Sequence, residues 1–239
     1  MTEPSDPAAP TAEMAKPEPR SRVAVWLGSA APTRSVRWLD GAIKTASTFP
    51  GAIAIAAGEP HWLDLAADRA RLVGVPCAGI ATDLQLDYLG WAQVVAAAAR
   101  RLDVTSIFVD EASRPERFAE VAAIAELIGA AQLARVVRVA AMDSGLLATR
   151  AFGRELQTVR VRGPAVIGLR IADQPVDEYP TPRPASGMQR LDLELLGLDP
   201  AVLAHRALPP RTGAEPRKTV ERIAEHLAVH ARPARARPA

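Results

Sequence analysis

Residues 109–129, VDEASRPERFAEVAAIAELIG, decide the fold. The apolar run that ends at Val109 passes through a short polar turn into residues with helical apolar spacing, so a strand feeds directly into a long amphipathic helix. Ser113 and Glu116 have the spacing of a capping box, and Pro115 sits early enough in the helix to need no N–H partner. A strand end followed by a helix start is where an α/β sheet usually holds a phosphate. The turn, however, offers Asp110, Glu111, Ser113, Arg114, Pro115 and Arg117 where glycines would be expected.

Upstream, the same alternation recurs. RVAVWLG at 22–28 is a buried-strand run ending at Gly28 and Ser29, and SVRWLDGAIKTAS at 35–47 has helical spacing. GAIAIAAG at 51–58, the helical HWLDLAADRARL, PCAGIAT at 76–82, LQLDYLGWAQVVAAAARRL at 84–102 and VTSIFVDE continue the series. Alternating strands and helices require crossovers between parallel neighbours, so the fold expected is α/β, a doubly wound, mainly parallel sheet with helices on both faces. After Gly129 the pattern changes to an alternating hairpin or meander with turns at Asp143-Ser144-Gly145 and Gly153, then the buried strand PAVIGLRI. DQPVDEYPTPRPASGM has no period and reads as an extended surface arm within 172–200, closed by LDLELLGLDP.

Residues 1–21 are rich in Pro, Ala and acidic groups and read as a disordered leader. Residues 22–200 form the α/β domain, and 201–239 a basic tail with one helix at 216–231. With 239 residues, 49% of them hydrophobic, the chain can bury a substantial core. No apolar run approaches the roughly 18–20 residues of a membrane span, and the N-terminus lacks a signal-peptide pattern, so a cytoplasmic location is expected. The net charge of +2 does not argue for nucleic acid, because the basic tail lacks aromatic residues for stacking. Cys77 is the single cysteine, so no internal disulfide forms. His226 and His230 share a spacing compatible with a metal, but a terminal-helix pair of this kind is more often solvated.

The order of these pieces resembles the β subunit of electron transfer flavoproteins over roughly residues 22–200. The tracts that carry the likeness are AELIG (125–129), TRAFGRELQTVRVRGPAVIGLRIADQP (149–175), the proline-bearing arm, and LELLGLD (193–199). The resemblance implies a heterodimer with an α-type subunit that holds most of the FAD, with a dehydrogenase as electron donor. It also implies an AMP, or in some members a second FAD, in this chain's nucleotide fold. Divergent pairs of this kind accompany mycofactocin-linked dehydrogenases, one context the resemblance offers.

The cofactor-binding candidates are Gly28, Ser29, Trp38, Asp110, Ser113, Arg114, Arg117 and Phe118. The family's DxDTGQVG turn brings a glycine amide against the phosphate, whereas the matching positions here are Arg117, Phe118, Ala119 and Glu120. In one reading, Arg114 or Arg117 supplies a guanidinium to an AMP phosphate. In the other, which is favoured, the site is empty and these arginines pair with Glu111, Glu116 or Glu120. Phe118 would crowd a phosphate, and the surrounding carboxylates would repel it. Asp40 falls where the family's NPFD tract has its aspartate, and Trp38 just before it is a candidate flavin cover. Ala67-Asp68-Arg69 looks like the remnant of a longer family tract, and Tyr179-Pro180-Thr181-Pro182 has proline where some members present a leucine to a dehydrogenase.

Motifs for hydrolases, zinc proteases and P-loop or dinucleotide binding are missing from the sequence. An electron-carrying subunit needs none, because the flavin supplies the redox chemistry. The alternatives are an adenine-nucleotide-binding regulatory module and a structural partner subunit with an empty pocket.

Overall fold

The structure is a computed structural model that describes residues 22–29, 36–111, 116–170 and 187–205. The leader, Ser113, Arg114, most of the arm, His226, His230 and the terminal helix expected at 216–231 lie outside the described residues. The chain divides into units Met1–Ala207 and Leu208–Ala239, and all described residues belong to the first.

In chain order the elements are β1 (Val23–Ser29), α1 (Val36–Ser47), β2 (Ile53–Gly58), α2 (Pro60–Leu72), β3 (Cys77–Ala81), α3 (Tyr88–Arg101) and β4 (Ser106–Asp110). Then follow α4 (Glu116–Ile128), β5 (Ala131–Met142), β6 (Gly145–Phe152), β7 (Glu155–Val161), β8 (Ala165–Leu169), β9 (Gln189–Leu191) and α5 (Pro200–Ala204). The expected α/β alternation is present. All nine strands join one mixed, mostly parallel sheet in the order β7-β6-β5-β8-β4-β1-β2-β3-β9.

Strand β1 is the middle of the seven strands that pair in parallel, β5-β8-β4-β1-β2-β3-β9. It pairs parallel with β2 on one side and with β4 on the other. Its alternate side chains enter two separate cores, as period-2 geometry requires. Val23, Val25 and Leu27 pack with residues of α1 and α2, while Ala24 and Trp26 pack with α3 and α4. Burial on both faces explains why β1, β2 and β4 are continuous apolar runs rather than alternating ones.

Sequence spacing overestimates α3. Its helix begins at Tyr88, after Asp87, whose carboxylate accepts from the Gly90 N–H at 2.7 Å as an N-cap. Leu84 and Leu86 keep the apolar spacing but pack into the core from extended backbone ahead of that cap. The short strand β9 is unforeseen. It lies in the tract read as arm and closing segment, and it adds parallel to β3 at the sheet edge.

The meander is more elaborate than a hairpin. The first residues of β5 run parallel to β8, a register shift follows, and the second half pairs antiparallel with β6, which pairs with β7. Arg135 sits in that irregular segment with φ of 58°. Only three residues separate Val161, opposite Leu146 at the end of β7, from Ala165, which starts β8 beside Ala131. So short a link draws the meander back toward the parallel body. There Leu146, Ala148 and Val161 join the core cluster that contains Phe108 and Ile167.

The β5–β6 turn depends on Gly145, whose φ is 103° and whose missing Cβ would fall on the carbonyl oxygen of Val161. Replacing it with alanine combines a forbidden backbone region with a clash against backbone. Gly145→Ala is expected to cost about 3 kcal/mol of unfolding free energy in a urea titration. Ser144→Ala, one residue earlier, should change it by less than about 0.5 kcal/mol.

Candidate functional site

The order of the sheet reverses at β1. The chain runs outward through β2 and β3, then returns to place β4 on the other flank of β1. In open α/β sheets the crevice at the carboxyl ends of the two strands flanking such a reversal is the natural ligand site. Val25 and Trp26 lie opposite Phe108 and Val109, so the two strands end side by side, with Gly28 and Ser29 next to Asp110 and Glu111. Of the sequence candidates, topology brings together Gly28, Ser29 and Asp110. Arg117 and Phe118 belong to the first turn of α4, and Trp38 to the first turn of α1.

Gly28 has φ of 81°, and its carbonyl accepts a buried hydrogen bond of 3.1 Å from the Trp62 indole N–H. That bond pins the end of β1 to α2. Asp110 is 2% exposed and is engaged by other groups. Glu111 turns away from β1. Its N–H donates to the Leu169 carbonyl at 3.0 Å, and its carboxylate accepts from the Arg135 N–H. The side chain fills the space beside Gly168, where a Cβ would meet its Cδ at 3.1 Å. Glu111 therefore braces the irregular segment of β5, which is also why Arg135 tolerates a left-handed backbone.

Glu120 has a role that sequence reasoning missed. It is 4% exposed, and its carboxylate accepts from the Trp26 indole N–H at 2.7 Å. Trp26 lies in turn against Trp91 of α3, ring centroids 6.0 Å apart at 43°. This carboxylate ties α4 to β1 beneath the crevice. The available signal was a tryptophan in an otherwise aliphatic buried strand, since an indole N–H in a core needs an acceptor.

Asp40 of α1 is also buried. One carboxylate oxygen lies 3.7 Å from the Arg69 guanidinium, and the other, Oδ1, is buried without a hydrogen-bond partner. The tract Ala67-Asp68-Arg69, read as the remnant of a longer segment, lies inside the 13-residue α2, where Arg69 links α2 to α1.

Cys77 stands at the opposite end of the sheet, at the start of β3 and far along it from the crevice. A small cavity of about 160 Å³ lies beside it, between α2 and Met188. Burial pushes the thiol pKa up from 9.0 to about 12. The thiol therefore stays protonated and unreactive at neutral pH.

Among the described residues no group of three or more His, Cys, Asp or Glu is placed to hold a metal, and no helix is long and apolar enough to cross a membrane. What the fold and the crevice define is an α/β protein with a switch-point site bordered by carboxylates. No protein-family model matches the chain, and no curated protein matches it either.

Trp26→Phe removes the donor to Glu120 while keeping an aromatic ring, so the buried carboxylate loses that hydrogen bond. The expected cost is about 2–3 kcal/mol in chemical denaturation, and a second change, Glu120→Leu, should recover part of it. For Cys77, the protonated thiol favours the folded state, and that contribution is complete below pH 9 and is lost as pH rises toward about 12. The wild-type melting temperature should accordingly fall more steeply above pH 9 than that of Cys77→Ala; parallel curves would contradict the assignment.

Proposed function

We propose that the chain is a β-type subunit of an electron transfer flavoprotein, pairing with an FAD-carrying α-type subunit that passes electrons from a dehydrogenase to a downstream acceptor. The observation that carries the reading is where the resembling tracts fall. AELIG closes α4, the tract from Thr149 occupies β6, β7 and β8 in succession, and LELLGLD follows β9 directly. The three separated tracts thus fall at a helix end, along the three strands β6, β7 and β8, and in the turns after β9.

The flavin, when bound in such a couple, supplies the redox chemistry, and the protein's share is to position and cover it. In this chain that share falls to the crevice mouth formed by Gly28, Ser29 and the first turns of α1 and α4. The described crevice does not suit the phosphate of an AMP. Asp110 and Glu120 are carboxylates buried around the head of β4 and α4, and a phosphate in their neighbourhood would meet like charge at low dielectric. The glycine that would let an amide approach it is replaced by Phe118.

Co-expression with an α-type subunit tests the reading. A yellow heterodimer is expected, whose denatured extract contains FAD in equal amount to this chain and no AMP. A colourless monomer that binds ATP or AMP would instead establish the regulatory module. A colourless complex free of nucleotide would establish the structural subunit.

A further inference from the structure

The meander presents two unlike faces. Cross-strand pairing puts Leu146, Ala148 and Val161 on the side that enters the core, and they are buried. The same pairing puts Arg138, Leu147, Leu156 and Arg160 on the other side, together with Thr149 and Thr158, whose hydroxyls lie 3.5 Å apart across the strands. That side is open. Leu156 is 69% exposed, Leu147 is 36% exposed, and both arginines are exposed. Beyond it β7 ends the sheet, and among the described residues its outer edge has no strand partner.

Charge decides what can cover this face. This face itself carries Arg138 and Arg160, and the stretch 131–170 around it holds Arg135, Arg150, Arg154, Arg162 and Arg170 against only Asp143 and Glu155, a net +5 for the stretch, whereas the whole chain carries +2. A second copy pairing through the same strand would set this excess against itself, with Arg154 and Arg162 brought across from one another when the strands align about Thr158. Nucleic acid would match the charge, but on this face the side chains between Arg138 and Arg160 are leucines, threonines and alanines with no ring to stack on bases, and the exposed Phe152 lies on the opposite face with Arg150 over its ring. Arginines around apolar anchors are the pattern of a protein interface.

We infer that the open face of β5, β6 and β7 docks a partner protein through an acidic surface with an apolar centre. The inference rests on the proposed couple and assigns the flavin-carrying subunit to this face. Leu147 and Leu156 provide the buried anchors, while Arg138 and Arg160 pair with carboxylates and fix the orientation. The open edge of β7 allows the partner to add main-chain hydrogen bonds.

The test uses the full chain and the FAD-carrying α-type subunit, with affinity measured by calorimetry at low and high salt. Two double variants are compared with wild type: Arg138→Glu with Arg160→Glu, and Leu147→Asp with Leu156→Asp. All four positions face solvent, so the melting temperature should stay close to wild type, which shows that the variants fold. Both should bind about a hundredfold more weakly, with the arginine pair losing most of the salt dependence. A variant with lysine at 138 and 160 should keep most of the affinity. Full-strength binding by both double variants overturns the inference while leaving the couple intact. No binding by the wild type overturns the couple and this inference together. Two further results would also overturn it: a wild-type homodimer that the variants abolish, and binding of a single-stranded oligonucleotide that depends on Arg138 and Arg160.

Discussion

The constraint on which the structure depends is the position of β1, paired parallel on both edges and buried on both faces. Parallel neighbours cannot be joined by tight turns, so the chain leaves β1 and returns to its flank only through helical crossovers. Those crossovers supply the helices that cover each face. They also leave the carboxyl ends of β1 and β4 adjacent without a connection between them, and this is the geometric origin of the crevice. Where Gly28 and Asp110 sit follows from that arrangement rather than from any local motif.

Around this crevice the carboxylates have acquired structural work. Glu111 braces the left-handed Arg135, and Glu120 accepts the indole proton of Trp26. Burial of Glu120 costs desolvation that its hydrogen bonding offsets only while its partners remain. In the proposed reading, the buried carboxylates at this head disfavour a phosphate there.

Much of the fold was legible because the signals were local and repeated. The buried runs at 22–28, 51–58 and 76–82 announced β1, β2 and β3, and the glycine-bearing turns at 145 and 153 marked the meander. The strand β9 was not legible, since QRL is too short to show a period and forms only because the edge of β3 is open to it. The early start given to α3 failed for a related reason: Leu84 and Leu86 satisfy helical spacing while belonging to extended chain. Within the site, Gly28, Ser29 and Asp110 could be placed from strand ends alone. The bond between Trp26 and Glu120 could not, because the two residues lie 94 positions apart and only the tertiary fold brings the indole to α4.

The central claim is that this chain is half of a couple that relays electrons without catalysing a reaction of its own. Its most direct test is to reduce the purified complex with its FAD-bearing partner anaerobically, mix it rapidly with an artificial one-electron acceptor, and follow the flavin absorbance. The account predicts prompt reoxidation by the complex and no flavin absorbance at all in this chain purified alone. Flavin retained by the isolated chain, or a complex whose reduced form fails to pass electrons on, would contradict it.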